Sequence, residues 1–365
     1  MTRARYQQIS LDETPYYHCV SRCVRRAYLC GKDPVSGHNF DHRKAWLVVR
    51  IKELAAQFAV DVCAYAVMSD HYHLVLHVDQ QKAGEWKDSE VIDRWSKLFP
   101  RNAVKIETLK KNIKYKSAKN NLKNQISLWR GRLSDISWFM RCLNEYIARR
   151  ANIEEECTGR FWEGRFKSQA LLDEKALVTC MAYVDLNPIR KGISSSLEFS
   201  DFTSIQERLI IHARKVKKRN FRQNRLLKRR TAKHLLTQRI SKRRSLLKPL
   251  QDMEGLNQGI AVISQKKYFH LLESTAKALT FVKNDKHKFK GLLFERKNSL
   301  LMSIGITPEA WIKSIKHFHR YYGNAAGGEN ALIDFHKSRI KAGVDLKHPD
   351  KWVRGIHTSR LLYGT

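Results

Sequence analysis

Two strand-like runs separated by a two-residue turn constrain this 365-residue chain more than any other feature. Residues 60–68 and 71–78 are apolar and rich in β-branched and aromatic side chains, with Ser69-Asp70 between them, so they are predicted to form a hairpin. The second run opens His71-Tyr72-His73. In an extended strand, side chains two apart share a face about 6.6 Å apart along the chain. His71 and His73 therefore point one way, and Tyr72 and Leu74 into the opposite, buried face. Two imidazoles held like this can close on one divalent cation, although paired strand histidines are also common as satisfied polar groups. His77 reads as a solvated or core histidine. Asp70 reads as a turn residue or as a partner that orients an imidazole.

The flanking pattern extends the hairpin into a domain. Residues 16–24 read as a first strand, and residues 42–58 as a helix with apolar residues at three- and four-residue spacing, capped by Asp41. Residues 80–132 are polar and Lys-rich and read as an insertion of helices and loop. Ser134 or Asp135 caps a helix over 136–151. Glycines and aromatics at 159–167 lead into a strand ending near Leu172. Asp173 caps a last helix, from Glu174 to about Leu186, which Pro188 stops. The order β-α-β-β-α-β-α predicts an α+β fold, an antiparallel sheet of four to five strands packed on helices in a split-βαβ arrangement.

Charge narrows the partner. The chain carries 69 Lys+Arg against 35 Asp+Glu, a net charge of +34, and residues 201–365 hold 36 of the basic groups but only 12 of the acidic ones. With 42% hydrophobic residues it is not a disordered basic tail. A field of this size attracts a polyanion, nucleic acid above all. No apolar run suggests a membrane span or a secretory signal. Seven cysteines without CxxC pairs indicate neither a zinc ribbon nor a disulfide framework, and fit a reducing cytoplasm.

Between Lys215 and Lys248 there are 15 Lys or Arg and no acid. Lys217, Lys218, Arg219, Arg229, Arg230, Arg243 and Arg244 are thus expected phosphate contacts, on a basic helical arm or linker over 206–250 that follows a catalytic domain at 1–205. Residues 251–365 read as a small helical domain, with Thr307-Pro308 opening one helix. It is either a helix-turn-helix-like DNA reader or a dimerisation or packing module.

Tyr183 and Asn187, four apart, share a helix face. Beside a cation that grips a phosphate, a tyrosine is a ready nucleophile, and an Asn carbonyl oxygen suits Mg²⁺ or Mn²⁺ as a third ligand next to His71 and His73. The bland alternative makes Tyr183 a half-buried core residue and Asn187 a helix C-cap. Tyr146 is a rival nucleophile, but its place beside an apolar stripe suggests packing. Arg160, Arg165 and Lys167 alternate with Phe161, Trp162 and Phe166. Basic groups can pair with phosphates while aromatics such as Trp162 stack on bases, or the aromatics can anchor a turn.

Taken together, His-Tyr-His on a strand, Gly-Arg-Phe-Trp-Glu-Gly-Arg-Phe-Lys-Ser at 159–168 and Tyr-Val-Asp-Leu-Asn-Pro-Ile-Arg at 183–190 resemble the single-tyrosine HUH transposases, and among them the REP-associated tyrosine transposases of bacteria. The resemblance covers about residues 16–193. It implies an HUH-nuclease-like core and an enzyme that cuts and rejoins single-stranded or hairpin DNA at repetitive palindromic elements, through a 5′-phosphotyrosine, with Mg²⁺ or Mn²⁺ as cofactor. The metal histidines fall on His71 and His73, the nucleophile on Tyr183 and the third metal ligand on Asn187, with Arg190 among the DNA contacts. A bacterial, nucleoid-associated cytoplasmic protein is expected, as a monomer or homodimer. Two departures stand out. Pro188 disfavours helical geometry at Asn187, and the 80–132 insertion exceeds a minimal core. The competing reading is a domesticated protein that binds structured DNA or RNA without cutting it.

Overall fold

The computed structural model describes residues 4–24, 29–33, 37–101, 116–219, 247–250, 264–281, 301 and 304–343. After a helical turn, α1 (Arg5–Gln8), the chain runs β1 (Tyr16–Arg22), α2 (His42–Gln57), β2 (Val60–Val67) and β3 (His71–Val78). The 80–132 stretch supplies α3 (Gln80–Glu85), α4 (Asp88–Leu98) and most of α5 (Lys116–Leu133). Then come α6 (Ile136–Glu154), β4 (Lys167–Leu171), α7 (Glu174–Asp185), α8 (Asn187–Arg190) and α9 (Ser204–Arg219). The C-terminal part contributes α10 (Gln265–Phe281), α11 (Pro308–Tyr321), β5 (Ala325–Ala326) and α12 (Glu329–Lys341).

The fold is α+β, around one five-stranded sheet in the order β2-β3-β1-β4-β5. The first four strands pair antiparallel, as the sequence implied. β5 corrects that expectation, because Ala325 and Ala326 pair parallel to Ala170 and Leu171. It arrives from the C-terminal segment rather than through a hairpin, so nothing forces it antiparallel.

Both faces of the sheet are covered, so its strands read as nearly continuous apolar runs instead of alternating ones. One face carries Tyr17, Cys19, Tyr72, Leu74 and Leu76 against α2 and α6. The other carries Tyr16, Ala64, Ala66 and Val75 against α7, α10 and α11. Every residue of α7 from Ala176 to Asp185 is buried, which suits a helix apolar on all sides.

Local chemistry sets the helix ends. Asp135 Oδ1 accepts from the Ser137 and Trp138 amides at the start of α6. Asp173 Oδ1 accepts from the Ala176 amide (2.8 Å) at the start of α7, while its Oδ2 accepts from the Gly328 amide (2.7 Å) and ties α12 to the same corner. Thr307 caps α11, with Pro308 in its first turn. At the far end of α7, buried Asp185 accepts from Ser204 Oγ, the Ile205 amide and Tyr268 Oη, joining α9 and α10 to the helix that bears Tyr183. Burial pushes the Asp185 carboxyl up to about 6.

The last core helix ends where expected, at Asp185 with Leu186 as its C-cap, but the expectation of non-helical geometry at Asn187 is corrected. Leu186 keeps right-handed helical backbone angles, and Asn187 opens α8 with the proline in its first turn, where the missing N–H costs no intrahelical bond.

Candidate functional site

The register of β1 on β3 builds the site. Arg22 lies opposite His71, Val20 opposite His73 and His18 opposite Val75. On the other side of β1, His18 faces Gln169 of β4. Period-two alternation therefore gathers His18, Arg22, His71, His73, Lys167 and Gln169 on one face of three neighbouring strands. It is the face that α7 covers.

His71 and His73 lie against one another, ring centroids 4.8 Å apart and planes at 81°. Each has its Nδ1 engaged. His71 Nδ1–H donates to Asp70 Oδ1 (2.5 Å), and Asp70 Oδ2 bridges to Arg22 (3.3 Å). Asp70, in the hairpin turn, is thus the orienting partner weighed from the sequence. Burial would raise its carboxyl, but the His71 hydrogen bond and the His71 and Arg22 charges hold it below the ordinary value. His73 Nδ1 lies 2.9 Å from His18 Nε2. Burial, reinforced by the neighbouring imidazoles and by Arg190 and Arg22, pushes His73 well below an ordinary histidine, and burial brings His18 down to about 4 against the opposing Gln169 hydrogen bond. Among the described residues, the buried Nε2 of His73 has no hydrogen-bond partner.

From α7, the Tyr183 ring meets His73 edge-on, centroids 5.7 Å apart at 88°, and His18 at 6.2 Å. Phe318 of α11 stacks on Tyr183 at 5.3 Å. Arg190 places its guanidinium carbon 4.6 Å from the Tyr183 ring centroid. Only 4% of Tyr183 is exposed. Burial raises its pKa, while the charge and hydrogen bond of Arg190 and the charge of Arg22 pull the other way. Asn187 is fully buried. Its Oδ1 accepts from Arg190 Nη2 (2.6 Å), which leaves that oxygen a second lone pair, and its Nδ2 is a buried donor without a partner among the described residues.

The donor set offers a divalent cation two imidazoles. A carboxylate can only accept, so the Asp70 contact keeps a proton on His71 Nδ1 and makes Nε2 the nitrogen that could give a lone pair to a cation. The buried His73 Nε2, without a partner among the described residues, is a second imidazole nitrogen of the type that binds a divalent cation, so the pair fits part of such a site. No group of three or more His, Cys, Asp or Glu side chains suited to a metal occurs among the described residues. Any further ligand would have to be an amide oxygen, water or substrate oxygen.

The motif at 159–168 divides into two sides. Arg160, Arg165 and Lys167 are exposed. Phe161, Trp162 and Phe166 are buried, with Trp162 Nε1–H donating to the Asn144 carbonyl and its ring edge-on to Tyr72. The turn-anchoring alternative thus describes Trp162, which offers no free face to a base. Tyr146 packs on the sheet face opposite the imidazoles, and its hydroxyl accepts from Arg150. His77 sits between Asp61 and Lys248 at the other end of its strand. Lys217, Lys218 and Arg219 end α9, and Arg229, Arg230, Arg243 and Arg244 lie outside the described residues.

Sequence reasoning missed His18, Arg22, Gln169 and Phe318. His18 and Arg22 stood at alternate positions of a recognised strand, but which strand lies beside it is not a local property. Among the described residues no helix is long and apolar enough to cross a membrane. Comparison with family models, curated proteins and solved structures gave no match.

Proposed function

We propose that this chain is a single-strand DNA endonuclease and strand transferase of the single-tyrosine HUH type, similar to the REP-associated tyrosine transposases, with Tyr183 as its nucleophile. The observation that carries the reading is the approach of the Tyr183 ring to His73, with the Arg190 guanidinium over the same ring. His71 and His73 would hold Mg²⁺ or Mn²⁺, with the Asn187 oxygen as a candidate third ligand. When bound, the cation would offset charge on the non-bridging phosphate oxygens.

The chain's own residues account for the rest. Tyr183 Oη attacks phosphorus, forming a Tyr–O–P bond to the 5′ side as the P–O3′ bond breaks. The phenol loses one proton and the departing 3′ oxygen gains one, so the step is balanced without a further reagent. Arg190 favours the phenolate and can pair with a phosphate oxygen. Arg22, at the open end of the same sheet face, with exposed Arg160, Arg165 and Lys167 on the neighbouring motif, suits the flanking backbone phosphates. Rejoining is the reverse attack by a 3′-hydroxyl.

The experiment is incubation of the full chain with hairpin-bearing single-stranded DNA and Mn²⁺. A covalent protein–DNA adduct forms, and Tyr183→Phe abolishes it while DNA binding persists. An adduct that survives in the phenylalanine variant rejects this nucleophile.

One observation favours a second reading, a non-catalytic binder of structured DNA or RNA. Tyr183 is covered by Phe318 and its proton is held more tightly than an ordinary phenol's. Binding without adduct or nicking under Mg²⁺ and Mn²⁺ alike selects that reading.

A further inference from the structure

A chain of hydrogen bonds crosses three strands and ends outside the sheet. Gln169 Nε2–H donates to the carbonyl of Gly323, just after α11 (2.9 Å). That fixes which end of the amide is which, so Gln169 Oε1 is the atom facing His18 Nδ1 (3.2 Å). A carbonyl oxygen only accepts, so His18 Nδ1 carries a proton. His18 is buried against Gln169, His73, Tyr183 and Phe318, none of them an anion that would hold a second proton on the ring, so its Nε2 is then a lone pair, 2.9 Å from His73 Nδ1. The His73 proton must therefore sit on Nδ1. What remains is the buried Nε2 of His73, with no partner among the described residues.

We propose that His18 and Gln169, anchored on the Gly323 carbonyl, are positioning residues that lock His73 in the Nδ1–H tautomer and so keep the lone pair on its buried Nε2, on the ring that meets Tyr183 edge-on. The inference deepens the proposed function and rests on it only for the identity of what that lone pair would bind. It also gives the C-terminal segment a role at the site. The loop after α11 sets the first link of the relay, while Phe318 within α11 forms the wall behind Tyr183. Free imidazole favours the Nε2–H form, which has no lone pair at the nitrogen a cation would need. The relay is what opposes that default.

The test uses the full chain labelled with ¹⁵N-histidine, without metal, and reads the tautomer of each ring from its nitrogen shifts and couplings, with the His73 signals assigned by His73→Gln. Wild type should show a protonated Nδ1 and a bare Nε2 at His73. His18→Phe and Gln169→Leu should move the ring toward Nε2–H. His18→Gln, whose side-chain oxygen can still accept from His73 Nδ1–H, should restore the wild-type form. Thermal melts identify any variant that fails to fold, and Gln169→Leu carries the test alone if His18→Phe does not fold.

Titration with Mn²⁺ alone, followed by its electron spin resonance signal, is the second readout. Affinity should fall roughly 10–100-fold in His18→Phe and Gln169→Leu, and recover in His18→Gln. A His73 tautomer that is Nε2–H in wild type, or unmoved by both disruptive variants, overturns the relay. If the tautomer responds as expected but wild type binds no Mn²⁺, the relay stands and the cation in the proposed function falls.

Discussion

The Tyr183 phenol and the His73 imidazole meet edge to face, centroids 5.7 Å apart and planes at 88°, although 110 positions separate them in the chain. Neither side chain reaches this arrangement through its own element alone. β3 presents His73, α7 presents Tyr183, and Asp185 fastens the end of α7 by accepting three hydrogen bonds from α9 and α10. The phenol is thus held by packed secondary-structure elements, as the proposed in-line attack on a phosphate would require.

Phe318→Ala should be costly and informative. Phe318 is fully buried and stacked on Tyr183, so its truncation should destabilise by about 3–5 kcal/mol in denaturant unfolding. Because burial is the main cause of the raised Tyr183 pKa, the same change should lower that pKa toward an ordinary phenol's. Alkaline absorbance titration of the variant against Phe318→Ala/Tyr183→Phe isolates this tyrosine.

Asp70→Ala should weaken Mn²⁺ binding roughly 10-fold or more, with little change in melting temperature. It removes the acceptor that fixes the proton of His71 on Nδ1 and frees Arg22, but empties no apolar core. Calorimetric titration beside a thermal melt separates the two effects.

A pH-dependent contribution to stability should come from the other end of β3. Burial opposes ionisation of Asp61, but the His77 hydrogen bond and the Lys248 ammonium hold its pKa well below the ordinary 3.8. A depressed carboxyl stabilises the folded state above its unfolded pKa, and that gain is lost as pH falls through the folded value. Lys248→Met should therefore cost most above pH 4, and progressively less below it. Urea unfolding at several pH values between about 2 and 7 measures the difference. A cost independent of pH would remove Asp61 from the explanation.

Gly327→Ala should loosen the attachment of β5 and α12. A Cβ there would lie 3.0 Å from Leu172 Cβ and 3.2 Å from Asp173 Oδ2, the oxygen that accepts from the Gly328 amide. Overpacking of this kind costs about 1–3 kcal/mol. Hydrogen exchange should quicken first at the Leu172 amide, which donates to the Ala326 carbonyl.

The sequence by itself determined what is local. Period-two alternation in a tight hairpin placed His71 and His73 on one face and Tyr72 on the other. Asp135, Asp173 and Thr307 announced three helix starts through their side-chain oxygens, and the aromatic and Gly punctuation at 159–167 marked a turn before β4. Four-residue spacing suggested one helix for Tyr183 and Asn187, which the structure divides between α7 and α8, and it could not say what α7 would cover. Tertiary structure alone decided that β1 lies between β3 and β4, and so that His18 joins the imidazole pair and Gln169 joins His18. It also turned Trp162 inward, ran β5 parallel and laid Phe318 on Tyr183. The physical reason is that periodicity fixes which way a side chain points from its own element. Which elements become neighbours is settled by burying the faces of the whole sheet at once, through pairings that no short window of sequence contains.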